Sequence, residues 1–156
     1  SSKNSNSWLN DFDYAQEEGN VFHEIMEEIS SEKDVTIALN KFYDLGVIDE
    51  GQKEEYEKNI LSIINHSDLN KYYDEKLISF NEREIISISG VILVPDRLVF
   101  LNNSEVTIID YKTGSESLSH INQLNKYETV LQEMNMKVIE KILIYLDKKI
   151  KIKHCK

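Results

Sequence analysis

A run of β-branched and apolar residues, Val106-Thr107-Ile108-Ile109, leads straight into Asp110-Tyr111-Lys112-Thr113-Gly114. Residues two apart on a strand face the same way. Asp110 and Lys112 therefore share one face and Tyr111 takes the other. Gly114 and Ser115 break the strand. The next segment, Ser117 to about Asn135, carries Leu118, Ile121, Leu124, Leu131 and Met134 at helical spacing and reads as a helix buried on that side. Val138 to Leu146 is apolar and reads as a central strand. Lys149-Ile150-Lys151-Ile152-Lys153 alternates like an exposed edge strand guarded by lysines. This pattern implies a mixed sheet flanked by helices, an α/β architecture.

The first half of the chain has a different texture. From about Tyr14 to Ile29, the residues Val21, Phe22, Ile25, Met26 and Ile29 follow helical spacing, with Gly19 in the first turns. A second helix is expected over Val35 to Leu45, stopped by Gly46. A third covers Glu50 to Asn65, and a helical turn follows near Leu69 to Tyr73. Three strands are then expected, over Glu75 to Phe80, Ile85 to Val94 and Leu98 to Leu101. Asn81-Glu82-Arg83 and Asn102-Asn103-Ser104-Glu105 supply the turns. A length of 156 residues suits one domain with a real core. The expected layout is a linker or disordered start over 1–13 and a single domain over 14–156. That domain is mainly helical over 14–73 and an α/β core over 74–156.

No apolar run approaches the length needed to cross a membrane. No signal peptide is visible, so a cytoplasmic setting is expected. The single Cys155 excludes an internal disulfide and a four-cysteine zinc or iron–sulfur site within the chain. The net charge of −10 sits awkwardly with nucleic acid, because phosphate contacts need Lys and Arg. The charge is uneven, however. Acids such as Asp11, Asp13, Glu17, Glu18, Glu24, Glu27 and Glu28 crowd the start. Lys141, Lys148, Lys149, Lys151, Lys153 and Lys156 crowd the end and offer a local basic strip.

Pro95-Asp96 stands fourteen positions before Asp110. Two carboxylates on neighbouring strands beside a lysine match the needs of phosphodiester hydrolysis. That reaction calls for a divalent ion to lower the pKa of water and offset phosphate charge. Magnesium usually takes one or two protein carboxylates. Asp96 and Asp110 are the candidates, with Lys112 orienting water or stabilising charge. A solvated ion pair at a strand end is the plain alternative for Asp110 and Lys112. His23 lies beside the apolar stripe of the first helix, as an extra metal ligand or a boundary residue. Gln123 and Tyr127, four apart, share a helix face. They form a polar border patch or a pair that orders DNA or water near the metal. Glu75 opens its strand, exposed or completing the metal shell.

The ordered set Gly19-x-x-x-His23, Glu75, Gly90…Asp96-Arg97, Asp110-Tyr111-Lys112-Thr113 and Gln123-x-x-x-Tyr127 resembles the RecB-type branch of the PD-(D/E)XK nuclease superfamily. The resemblance spans residues 19 to 127. It implies a restriction-endonuclease-like mixed sheet flanked by helices, with an N-terminal helical segment. It implies Mg²⁺ or Mn²⁺ bound by His23, Asp96 and Asp110, catalysis by Lys112, and Gln123 and Tyr127 beside the active site. Glu75 corresponds to the acid at the start of the family's first core strand. Some branches carry a cysteine-bound iron–sulfur cluster, which this chain cannot build. The run from Gly90 to Asp96 is longer than the family's compact glycine-to-aspartate spacing. Members of the branch often form the C-terminal nuclease of helicase–nuclease machines that process DNA breaks. The implied function is therefore an exonuclease acting on single-stranded or end-exposed DNA, fed by a helicase in the same chain or complex. Two rival readings keep the fold: a DNA- or protein-binding module that does not cut, and a stand-alone structure-specific nuclease.

Overall fold

The computed structural model describes residues 19–147 and 149–156. The expected linker over 1–13, and positions 14–18 of the expected first helix, lie outside the described residues. Residues 19–27 form helix α1, which buries Phe22, Ile25 and Met26, and Ile29 is buried just past its end. Helix α2 (Val35–Asp44) buries Val35, Ala38, Leu39 and Phe42, a stripe at helical spacing. It stops at Gly46, whose φ of +74° turns the chain so that Val47 N–H reaches Phe42 O at 3.0 Å. Helix α3 (Glu50–Ile64) begins with a reciprocal cap between Asp49 and Gln52 and buries Tyr56, Ile60, Ile63 and Ile64. A 3₁₀ turn, Asn70–Tyr73, adds Tyr72 and Tyr73 to the same core.

The strands are β1 (Ile78–Asn81), β2 (Ile85–Ile86), β3 (Ile92–Leu93), β4 (Arg97–Phe100), β5 (Glu105–Lys112), β6 (Lys137–Leu146) and β7 (Ile150–Cys155). Five of them form a mixed sheet in the order β1-β4-β5-β6-β7. Among the described residues only β5 and β6 run parallel, and parallel neighbours need a crossover. Helix α4 (Leu118–Glu133) supplies it. The middle strand is β5, with β6 beside it, so β6 is interior but not central.

Strand alternation divides the core in two. Val99, Ile109, Tyr111, Ile142 and Ile144 pack with α1, α2 and α3. Leu98, Val106, Ile108, Leu143 and Tyr145 pack with Leu124, Tyr127, Val130 and Leu131 of α4. The buried side of α4 thus differs from the sequence expectation at its ends. Leu118 is 71% exposed in the first turn, and Met134, past the last, is 50% exposed. Tyr127 and Val130 fill the face instead.

The expected strand over Ile85 to Val94 is a hairpin, separate from the main sheet. Gly90, at φ +86°, closes it with a bond from its N–H to Ser87 O at 2.9 Å, and Ser87 Oγ accepts from Val91 N–H at 2.9 Å. Apolar residues on both sides of a glycine read as one strand until the turn is seen. The basic strip also shrinks. Lys141 is buried and donates to Glu128 at 2.9 Å and Asn125 at 3.0 Å. Lys151 and Lys153 lie 3.4 and 3.7 Å from Glu116.

Candidate active site

The pairing of β4 with β5 ends at Arg97 and Ile109. Beyond that point the two chains exchange side-chain bonds in place of ladder bonds. Asp96 N–H donates to Asp110 Oδ1 at 2.9 Å, and Tyr111 N–H donates to Asp96 Oδ2 at 2.8 Å. Each carboxylate is thus fixed by the other strand's backbone, which places both at the rim of the sheet. Lys112, two residues on, sits 3.1 Å from Asp110 Oδ2. Its ammonium also donates to Gln123 Oε1 at 2.5 Å, so α4 holds the lysine over the strand end. Tyr127 Oη reaches Val94 O at 3.4 Å. Burial, and then the charges of Asp110, Asp96 and Glu82, push its phenol up.

His23 approaches from the other face of the sheet. Its Nδ1 lies 2.7 Å from Gly19 O, and its Nε2 lies 3.0 Å from Tyr111 O and 3.1 Å from Asp96 Oδ2. Every partner is an acceptor, so both ring nitrogens donate and the ring is an imidazolium. Burial alone would lower its pKa. The Asp96 carboxylate and the two carbonyls outweigh that and raise it to about 9. Gly19 has a matching steric role. A Cβ there would stand 3.0 Å from Thr113 Cγ2, so a side chain would press α1 away from the end of β5.

The structure brings His23, Asp96, Asp110, Lys112, Gln123 and Tyr127 together. Glu75 lies apart, exposed, with Lys33 3.2 Å from its carboxylate. A different acid joins the cluster. Glu82, with its φ of +52°, sits in the turn after β1, where its N–H donates to Asp96 O at 3.0 Å. Its side chain bonds to Asp96. Burial, then Asp96, raise Glu82 to about 7. Asp110 rises to about 6, through burial and then Asp96, although Lys112 opposes the shift. Glu82 carries no sequence signal, because Asn81-Glu82-Arg83 is an ordinary polar turn until the hairpin folds it onto Asp96.

The donor set suits a hard divalent cation. Asp96 and Asp110 offer oxygen, and their mutual repulsion is what an added cation relieves. Among the described residues, no three His, Cys, Asp or Glu side chains form a ready cage. Magnesium needs none, since it keeps several waters. His23 is a donor here and must lose the Nε2 proton before that nitrogen can ligate.

The family model of the PD-(D/E)XK nuclease superfamily matches residues 6–154. The chain belongs to the PD-(D/E)XK nuclease superfamily. Membership implies metal-dependent phosphodiester hydrolysis, and divalent cations such as Mg²⁺ are typical of these nucleases. The five-stranded mixed sheet with its helices is consistent with the superfamily's restriction-endonuclease-like fold. No curated protein matches the chain. Among solved structures, a similar one is titled "Crystal structure of SSO0001", at 16% identity and a TM-score of 0.37. The match covers 85% of this chain and 65% of that one, less than two thirds of its length. Among the described residues, no helix is long and apolar enough to cross a membrane.

The His23 shift makes a testable pH effect. A histidine whose pKa is higher folded than unfolded adds stability that is complete below about 6.5 and is lost as pH rises through about 9. The melting temperature of the metal-free chain should therefore fall between pH 6.5 and 9, and less so in His23→Gln. Thermal melts monitored by circular dichroism across that range check it. An equal fall in both proteins would remove the His23–Asp96 pair as the cause.

Proposed function

We propose that this chain is a RecB-type DNA exonuclease domain, working beside a helicase in a cytoplasmic repair or recombination machine. The observation that carries the reading is the interlocked rim of β4 and β5, where Asp96 and Asp110 brace each other and Lys112 stands 3.1 Å from Asp110. A surface ion pair would not bury an aspartate to 2% exposure or take two backbone donors to fix its neighbours.

Asp96 and Asp110, with His23 after loss of its Nε2 proton, would hold Mg²⁺ or Mn²⁺. When bound, the cation supplies charge neutralisation at the phosphate and a lowered pKa for water. Lys112 points its ammonium at the same rim and stabilises charge that builds on the phosphate oxygens. Gln123 keeps that ammonium from wandering, and Tyr127 closes the α4 side of the site. Glu75, held by Lys33, has no part in this arrangement. The net charge of −10 leaves this chain a DNA grip that is measurable at low salt and weakens as salt rises, with the machine's other parts adding the rest.

Labelled linear and circular single-stranded DNA separate the possibilities. With Mg²⁺ or Mn²⁺ the linear strand should be degraded from an end, the circle should persist, and chelation should stop the reaction. Circles cut as fast as linear strands would replace the exonuclease by an endonuclease. Linear strands left intact in both metals would favour the non-cutting module.

A further inference from the structure

Among the described residues, the β2–β3 hairpin pairs with no strand of the main sheet. Ile85 and Leu93 anchor it in the core beneath α4, and Ile88 N–H donates to Glu133 Oε2 at 2.9 Å, which ties its tip to the far end of that helix. Strand alternation turns Ile86 and Ile92 outward as a cross-strand pair, each 55% exposed. Between β3 and the first half of α4 lies a groove of about 680 Å³. One wall is apolar, made by Ile92, Leu93 and Val94. The opposite wall is polar, with His120, Gln123 and Lys126. Lys126 is exposed and has no ion-pair partner among the described residues. The groove leads to the strand-end cluster, because Gln123 both lines it and holds Lys112.

The two walls differ in the way the two sides of one nucleic-acid strand differ. Unpaired bases are flat and apolar, and the phosphates beside them are anionic. A duplex hides its bases and would offer phosphate and sugar to the apolar wall. We propose that this groove seats a single DNA strand, with bases against Ile92 and its hairpin neighbours and phosphates along Lys126 and His120, and feeds it to the Asp110–Lys112 end. The proposal rests on the nuclease reading for its direction, since it takes that cluster as the strand's destination. It adds the seat and the residues that would tell an unpaired strand from a duplex.

The test is fluorescence anisotropy of the 156-residue chain with a short labelled DNA strand and with the same sequence as a blunt duplex, in EDTA so that no metal-assisted cutting intervenes. The wild type should bind the single strand at least about tenfold more tightly than the duplex. The double variant Ile86→Ser/Ile92→Ser should lose about tenfold in single-strand affinity. Lys126→Ala should lower the slope of log affinity against log salt by about 0.7, one phosphate contact on a single strand. Both isoleucines are exposed, so folding should be unchanged by circular dichroism. Lys126→Ala keeps the test alive if the double variant unfolds.

Undetectable binding of the single strand at low salt, equal affinity for duplex, or wild-type binding by both variants would overturn the proposal. So would a double variant that keeps its DNA affinity but loses self-association in sedimentation, which would make the hairpin a protein-docking face. A wild type that cuts DNA while both variants bind normally would sink the groove and leave the nuclease reading standing. A wild type that binds through the groove but never cuts with added Mg²⁺ or Mn²⁺ would do the reverse.

Discussion

Alanine in place of Lys112 should lower DNA cleavage by about a thousandfold, with little loss of stability. The ammonium sits 3.1 Å from Asp110 and 2.5 Å from Gln123, at a rim where phosphate charge would build. A preformed cation in a partly dry site acts on developing charge without reorganising, which is why one such group typically carries two to three orders of magnitude. Lys112 also moderates the upward shift of Asp110. Its loss should raise the Asp110 pKa further above about 6 and move the acid limb of any cleavage profile to higher pH. Single-turnover cleavage measured against pH checks both effects. Lys112→Arg should keep the charge and recover only part of the rate, because a planar guanidinium cannot repeat the compact contact with Gln123. A Lys112→Ala chain that cuts at the wild-type rate would leave the lysine a surface cation with no role in the reaction.

The largest stability effect should come from a residue that never touches the chemistry. Arg97 is 1% exposed and donates to Ile29 O, Ser30 O, Tyr72 O and Asn81 Oδ1, at 2.8 to 3.1 Å. Its guanidinium also lies 4.3 Å from the Tyr73 ring centroid. One side chain thereby ties the end of α1, the 3₁₀ turn, β1 and β4 together. Arg97→Met would leave four acceptors without their donor, at a cost of about 3–5 kcal/mol. That is a large share of the ~5–15 kcal/mol typical of a whole domain. Urea unfolding should show the midpoint falling accordingly. Arg97→Lys should not restore it, since an ammonium cannot span the fork geometry of these acceptors. A loss below about 1 kcal/mol would mean that water or rearranged backbone satisfies those carbonyls unaided. Arg97 follows Asp96 directly, so its loss should also loosen the carboxylate that β4 delivers to the rim.

Much of this was legible before the fold was known. The alternation of Val106 to Lys112 already put Asp110 and Lys112 on one face, and the structure holds them side by side with Tyr111 opposite, packed against Phe22 at a ring distance of 5.6 Å. The four-residue spacing of Gln123 and Tyr127 put both on one helix face, and the family resemblance implied that this face lies beside the active site. What was hidden depends on long-range geometry. The stretch around Gly90 reads as one strand, since β-branched residues on both sides outweigh the single turn signal of Ser89-Gly90. Nothing local in the sequence marks Arg97 as a buried tie, since four carbonyl-type oxygens from distant segments converge on it only in the fold. Lys141 belongs by sequence to a basic tail, yet its strand position turns it toward Glu128 and Asn125 of α4. Glu75 and Glu82 exchange places for the same reason. The start of β1 lies at the end of the sheet away from Asp96, and the turn after β1 lies against it.

The central claim is that Asp96, Asp110 and Lys112 form one metal-dependent cutting centre. Side-by-side cleavage of end-labelled single-stranded DNA in Mn²⁺ by the wild-type chain and by Asp110→Asn tests it most directly. The wild type should release labelled product that chelation abolishes, and the folded Asp110→Asn chain should release about a thousandfold less. Equal release by both chains would contradict it.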